Sequence, residues 1–124
     1  MKILLAADGS KFTKKALAFL ITSNSLATAD DELFVFHVQD PVSPQIKNKL
    51  GSAEVETYQL GQAEKVLKPI KKFLDKHAVS YRCVWVVGSA ASEIIRVSKK
   101  ERVQMIVMGA HGHGMLVRAL MGSV

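Results

Sequence analysis

The amino-acid sequence predicts a three-layer α/β fold, in which a parallel β-sheet lies between two layers of helices. Four short apolar runs alternate with segments of helical periodicity along residues 2–108. The runs are apolar at most positions, which is typical of strands buried on both faces of a parallel sheet. This order implies right-handed crossovers and a ligand site beyond the carboxyl ends of the strands, where the winding direction reverses.

The first strand covers residues 2–7, which are apolar except for Lys2. The turn Asp8-Gly-Ser10 ends it, and Ser10 and Thr13 are candidate N-caps for the next helix. One face of that helix takes the apolar residues Ala16, Leu17, Leu20 and Ile21. We therefore expect the first helix to run from about Ser10 to Leu26.

The second strand, residues 33–38, is rich in β-branched and aromatic side chains. Pro41 and Pro44 follow it, so we expect residues 45–52 to form an irregular loop. A long helical pattern begins after this loop. Gly61 and Pro69 interrupt that pattern, which predicts a kink or a break in the helix.

The third strand, residues 79–87, alternates at first and then becomes solidly apolar. Gly88 opens a turn, and either Ser89 or Ser92 is placed to cap a helix that closes with the basic residues around Lys99 and Arg102. The fourth strand, residues 103–108, leads directly into a glycine-rich segment.

Composition fits one domain over residues 1–124, with 48% hydrophobic residues. No apolar run reaches the ~20 residues of a membrane span, and the apolar start is too short for a signal peptide. We therefore expect a cytoplasmic protein that does not enter the membrane. The lone cysteine, Cys83, is better explained as a small core residue than as a redox thiol.

Positive charge is concentrated in residues 61–124, where Lys65, Lys68, Lys72 and Lys76 recur at helical spacing. A nucleic-acid surface and a solvated helix face are the two interpretations of this stripe. No aromatic residue alternates with the lysines as a base-stacking surface would require. We therefore favour the solvated face and expect no nucleic acid as partner.

The last seventeen residues hold four of the eight glycines, at positions 109, 112, 114 and 122. Glycines let backbone amides approach a ligand closely, and Ser123 occupies a helix N-cap position, so the segment is a candidate phosphate site. If the first and fourth strands are neighbours, Asp8 faces this segment. His111 and His113 are better explained as exposed loop residues than as metal ligands, because no third ligand is nearby.

The spacing of this segment excludes two common phosphate loops and fits a third. There is no Gly-Lys-Ser/Thr of a P-loop, and the first turn has one glycine where a dinucleotide-binding turn has three. Gly109, two residues, Gly112, nine residues and Gly122-Ser123 resemble the ATP-binding motif of the universal stress protein family. Asp8-Gly-Ser10, His37-Val38 and Gly88 extend the resemblance over nearly the whole chain.

The resemblance implies a flavodoxin-like (adenine nucleotide alpha hydrolase-like) sheet of order 3-2-1-4-5 that binds ATP with Mg²⁺. In that family's pattern, Ala6 and Ala7 would line the adenine side. Asp8 would approach the ribose or the phosphates and their Mg²⁺, and Val38 would contact adenine through its backbone. His37 is better explained as a packed residue bonded to backbone than as a catalytic base.

The glycine segment would supply the remaining nucleotide contacts in the same pattern. Met108 and Gly109 would flank the ribose and phosphates, and Gly112 would bring amides to the phosphates. The phosphate cup would be completed by Gly122, Ser123 and Val124. Arg118, inside the nine-residue spacer, is placed either to add positive charge or to face solvent.

The sequence departs from the family's pattern by ending at Val124, roughly one helix and one strand early. We therefore expect the fifth strand to be missing and the fourth strand to form an uncovered edge. A full-length form would be a homodimer through its fifth strand, and the oligomeric state of this chain stays open.

The function implied is that of a nucleotide-dependent regulator in the stress response. The sequence has no nucleophile beside a base and no pair of acids, so at most slow ATP hydrolysis or autophosphorylation is expected. One alternative is a stress-related protein-interaction module with a vestigial nucleotide site. Another is an enzyme that acts in this cleft on a small phosphorylated or adenylated substrate.

Overall fold

Five strands and four helices form within residues 1–22, 31–110 and 114–119, which are the residues that the computed structural model describes. In chain order they are β1 (Lys2–Ala7), α1 (Lys11–Thr22), β2 (Glu32–Gln39), α2 (Pro44–Lys49), α3 (Ser52–Lys76), β3 (Tyr81–Val87), α4 (Ala90–Glu101), β4 (Met105–Ala110) and β5 (Gly114–Ala119). None of these helices has the length and apolar character that spanning a bilayer requires, within the residues described.

The strands form one sheet in the order β3-β2-β1-β4-β5, and the first four of these are parallel. β1 lies between β2 and β4, with Ile3 opposite Leu33 on one side and Met105 on the other. From β1 the chain moves outward to β2 and β3 and then crosses to the other side of β1. The predicted parallel α/β sheet and the reversal beside the first strand are confirmed.

Alternate residues of β1 contribute to two cores on opposite faces of the sheet. Ile3 and Leu5 pack against α1 and α3, in the cluster that also contains Leu17, Leu20, Leu67, Ile70 and Leu74. Leu4 and Ala6 pack against α4 in the cluster that also contains Phe34, Phe36, Ile94 and Val97. Burial on both faces explains why this run is apolar at nearly every position.

The edge beside β4 differs from the prediction. The sequence predicts that the fifth strand is missing and that residues 109–123 form a phosphate loop, but residues 114–119 form β5, antiparallel to β4. An unpaired edge of an apolar strand favours pairing, and the next segment, with Met115, Leu116 and Val117, has the apolar and β-branched residues of a strand. β5 therefore hydrogen-bonds the edge of β4 that was expected to be open. It differs from the parallel fifth strand that the resemblance implies.

One helix was not predicted, and of the two outcomes predicted for another, a kink or a break, the break does not occur. Most of α2 (Pro44–Lys49) falls in residues 45–52, which are predicted as irregular loop. Pro44 stands in its first turn, and the Ser43 hydroxyl oxygen accepts a bond from the Ile46 amide at 3.4 Å. α3 is continuous through Pro69, so no break occurs. Pro69 is exposed, which lets water reach the carbonyl that loses its amide partner. The predicted end of the first helix near Leu26 lies outside the described residues.

Candidate functional site

A cavity of about 600 Å³ opens at the carboxyl ends of β1, β2 and β4. Five residues that the sequence predicts for the nucleotide site line it together, namely Ala6, Ala7, Asp8, Val38 and Met108. A hollow of about 630 Å³ lies on the outside of α3, but its described lining residues all come from that helix, lysines prominent among them. The cavity at the strand ends is therefore the candidate site.

The register of the sheet explains why residues distant in sequence meet there. Ala7 lies opposite His37 in β2, and Ala6 lies opposite Met108 in β4. The helices that follow β1 and β3 pack on opposite faces of the sheet, so the chain diverges at the β1–β4 boundary and leaves an open crevice.

Asp8 organises the turn that follows β1. Its Oδ1 accepts hydrogen bonds from the Ser10 amide at 2.9 Å and from the Thr13 hydroxyl at 3.1 Å. Partial burial acts to raise the pKa of Asp8, but the interactions with Ser10 and Thr13 outweigh it and lower the pKa below its ordinary value of 3.8. Asp8 is therefore an anion at neutral pH.

Gly9 gives this turn its shape. Its φ is +80°, in the left-handed region that side chains disfavour, and an added Cβ would come within 3.2 Å of Val66 Cγ2 on α3. The glycine therefore lets the turn lie close against α3.

The Ser10 hydroxyl is a buried polar group at the cavity wall that lacks a well-formed hydrogen bond. It lies close enough to Asp8 to help lower the pKa of that carboxyl, yet its oxygen meets no partner at full hydrogen-bond geometry among the described residues. Buried hydroxyls are nearly always paired, because leaving one unpaired costs free energy. Its interaction with the Asp8 carboxyl is therefore part of what holds this turn.

His37 ties the end of β2 to the end of β1. The side chain is 5% exposed, and its Nδ1 lies 2.7 Å from the carbonyl oxygen of Ala7. Because a carbonyl oxygen only accepts, Nδ1 donates this bond. Nε2 lies 3.0 Å from Gln39 Oε1, so both ring nitrogens are engaged. The structure confirms the prediction of a packed histidine bonded to backbone.

Several wall residues were not predicted from the sequence, namely Ser10, Phe12, Gln39, Asp40, Gln62, Val66, Ala90 and Ile94. Gln39 and Asp40 follow Val38 directly, so the rule that selected Asp8, a polar residue at a strand end, would also have selected them. Gln62 and Ile94 come from helices, and helical periodicity does not say where along a helix the cavity lies. Ala90 places the N-terminus of α4 at the cavity.

The remaining predicted residues are only partly described. The backbone of Gly109 lies in β4 opposite Met115, so this glycine belongs to a strand pair where the sequence predicts a loop. Arg118 lies in β5 opposite Ile106, not in a loop spacer. Gly112, Gly122, Ser123 and Val124 lie outside the described residues, as do His111 and His113. Within the described part of the chain, no three His, Cys, Asp or Glu side chains form a metal site.

Comparison with known proteins gives a consistent family match. The model of the Universal stress protein family matches residues 1–124. Universal stress protein MJ0531 of Methanocaldococcus jannaschii is 32% identical over 125 residues, covering 99% of this chain and 72% of that protein. Universal stress protein MJ0577 of the same organism is 29% identical over 140 residues, covering 99% and 84%.

Solved structures share the fold. MJ0577 superposes with a TM-score of 0.71 at 28% identity, over 91% of this chain and 75% of that chain. A universal stress protein family protein of Arabidopsis thaliana, solved with AMP bound, superposes with a TM-score of 0.65 at 17% identity, over 91% and 78%.

Proposed function

This chain belongs to the universal stress protein family, and from that premise we propose that its cavity binds an adenine nucleotide, namely ATP with Mg²⁺. In this proposal, nucleotide binding makes the protein a regulator in the stress response. The supporting observation is that Ala6, Asp8, Val38 and Met108, which come from three strand ends, line a single cavity. Its volume of about 600 Å³ falls among typical small-ligand sites.

The lining suits the two chemical parts of a nucleotide. Ala6, Val38 and Met108 offer apolar surface to a flat base. The N-terminus of α4 at Ala90 offers backbone amide donors and a favourable dipole to phosphate oxygens. This division fits an amphipathic ligand better than a purely apolar one.

Mg²⁺ fits the same lining when a nucleotide is present. This ion keeps several waters and takes one or two protein carboxylates together with substrate phosphates. Asp8 and Asp40 are the carboxylates at the cavity, and both hydrogen bonds to Asp8 use Oδ1. Bound Mg²⁺ would offset the phosphate charge, while the Asp8 carboxylate would orient the ion's water shell.

Relatives support the ligand class but leave its details to experiment. The Arabidopsis thaliana protein was solved with AMP bound, and at 17% identity the likeness to it is one of fold. We take from it that an adenine nucleotide is the first ligand to test. ATP is our more specific proposal, based on the spacing of Gly109, Gly112, Gly122 and Ser123.

We propose regulation by binding, with at most slow ATP hydrolysis or autophosphorylation. His37 is the histidine among the described cavity residues, and both of its nitrogens are engaged. It is therefore poorly placed to act as a general base. Cytoplasmic location, one domain over residues 1–124 and a homodimer of a full-length form belong to the same proposal.

One observation favours the alternative of an interaction module with a vestigial nucleotide site. Gly109 is paired in a strand, and β5 takes up residues that the motif assigns to its loop. Some of the backbone amides that the motif would direct at phosphates then lie in the β4–β5 strand pair instead.

Titration calorimetry with ATP and Mg²⁺ distinguishes the two functions. The nucleotide-dependent regulator requires saturable heat with a Kd in the micromolar range, and mass spectrometry of the purified protein should then detect adenine nucleotide. Absence of saturable heat together with absence of nucleotide would favour the interaction module. GTP titrated in parallel tests whether the cavity selects adenine.

A further inference from the structure

We propose that the outer edge of β3 and the groove beside it form a docking surface for an extended acidic segment of a partner protein. The β3 groove is the hollow of about 390 Å³ between α3 and β3, lined by Leu60, Glu64, Leu67, Lys68, Lys71 and Trp85. Among the residues that the structure describes, it shares no lining residue with the cavity at the strand ends. The proposal therefore stands independently of nucleotide binding.

β3 is an edge strand whose outer backbone groups are open to pairing. It pairs with β2 over seven consecutive residues without a bulge, and no strand of the described chain lies on its other side. Edge strands are usually protected by charges, prolines or bulges. The one charged residue of β3, Arg82, is bonded to Glu101 and stacked on Phe34.

The side chains of β3 leave apolar surface next to this edge. Val84 and Val87 are 38% and 39% exposed, and Trp85 is half-buried against the core under α3. An added strand would therefore gain apolar contacts on both faces as well as backbone hydrogen bonds. An extended peptide uses an open sheet edge in this way.

The charge of the groove identifies the occupant as acidic. The two lysines of its lining, Lys68 and Lys71, are exposed, and neither has an ion-pair partner within 4.0 Å in the described part of the chain. Glu64 is the one acidic residue in the groove lining. Because side chains of a strand alternate between its faces, acidic residues at every second position of the peptide would all point toward these lysines.

Two other occupants fit less well. A second copy of this chain would bring the same lysines together, and the net charge of +6 already opposes self-association. Single-stranded nucleic acid is bound by several aromatic side chains that stack on successive bases, whereas the groove holds one half-buried tryptophan. Nucleic acid also leaves the backbone groups of β3 unpaired.

The charge component is tested with a fluorescent peptide in which glutamate and valine alternate, titrated by anisotropy. The variant Lys68→Glu/Lys71→Glu should bind it about tenfold more weakly or worse, since each reversal replaces an attraction by a repulsion. The matched control Lys99→Glu/Lys100→Glu makes the same charge change at the exposed end of α4 and should bind within about twofold of the unchanged protein. Equal weakening by both variants would show non-specific attraction and overturn the proposal.

The strand-pairing component has two independent tests. A peptide with prolines at alternate valine positions keeps the charge but loses amide donors, so it should bind at least about tenfold more weakly. Amide hydrogen exchange in residues 81–87 should slow on binding of the first peptide. A proline peptide that binds equally well, unchanged exchange in β3, or tighter binding of a single-stranded oligonucleotide of the same charge would each overturn the proposal.

Discussion

The Nδ1 atom of His37 lies 2.7 Å from the carbonyl oxygen of Ala7, so a side chain of β2 fastens the carboxyl end of β1. Ala7 immediately precedes the Asp8 turn, and Val38 immediately follows His37. The bond therefore fixes the distance between two parts of the cavity wall, the Asp8 turn and Val38. In the proposed nucleotide site, the first would meet the phosphates and the second the base.

Replacing His37 by leucine should lower the free energy of unfolding by about 1–3 kcal/mol, because a buried hydrogen-bond acceptor loses its side-chain partner. His77→Ala removes an exposed histidine, which bonds the Phe73 carbonyl of its own helix, and should change stability by less than about 0.5 kcal/mol. Urea unfolding measures both. A His37→Leu protein as stable as the unchanged one would show that the bond does not fasten the strands.

Replacing Asp8 by asparagine should weaken binding of ATP with Mg²⁺ by about tenfold or more, because a charge-assisted contact is lost. The asparagine oxygen still accepts from the Ser10 amide and the Thr13 hydroxyl, so the turn should remain. Glu54→Gln removes one negative charge from the exposed first turn of α3 and is the control. Calorimetry that gives the same Kd for Asp8→Asn and the unchanged protein would exclude Asp8 from the site.

The contribution of Asp8 to stability should depend on pH in a defined direction. Its pKa is lower in the folded protein than the ordinary value of 3.8, so the ionised carboxylate stabilises the fold above that value. This contribution is lost as the pH falls through the folded pKa. The stability difference between the unchanged protein and Asp8→Asn should therefore be constant near neutral pH and shrink below about pH 4. A difference that grows on acidification would contradict the hydrogen-bond account.

Two glycine substitutions should change stability in opposite directions. Gly9→Ala forces a side chain into φ +80° and within 3.2 Å of Val66, so it should destabilise the protein by about 1–2 kcal/mol. Gly61→Ala lies inside α3, where an added Cβ meets nothing within 4 Å, and should stabilise by about 0.5–1 kcal/mol. Thermal unfolding of the two variants compares them directly, and a stable Gly9→Ala protein would show that the turn tolerates another conformation.

The four parallel strands could be predicted because burial on both faces leaves a pattern in the residues themselves. Ala6, Asp8 and Met108 could be expected close together because the carboxyl ends of neighbouring parallel strands share one edge of the sheet, and all three line one cavity. β5 was missed because glycine content suggested a loop, whereas the open edge of β4 gives the next apolar segment a partner. Pairing of this kind depends on a tertiary surface that no local pattern encodes.

The roles of Ser10 and His37 could not be obtained from local patterns either. Ser10 is predicted as a helix cap and stands immediately before α1, but its buried hydroxyl also helps to lower the pKa of Asp8. His37 was predicted to bond backbone, yet which carbonyl it bonds follows from the register of β1 against β2. Contacts between strands thus determine hydrogen-bond partners that local sequence patterns do not specify.

Trp85 is the one tryptophan of the chain, and it lies in the β3 groove, outside the lining of the strand-end cavity. Its fluorescence is therefore a built-in optical reporter of the β3 edge. Emission that shifts when acidic peptide is added would register occupancy directly. A shift in emission when ATP is added would indicate that nucleotide binding at the strand-end cavity changes the environment of Trp85 on β3. A regulator would need such a response.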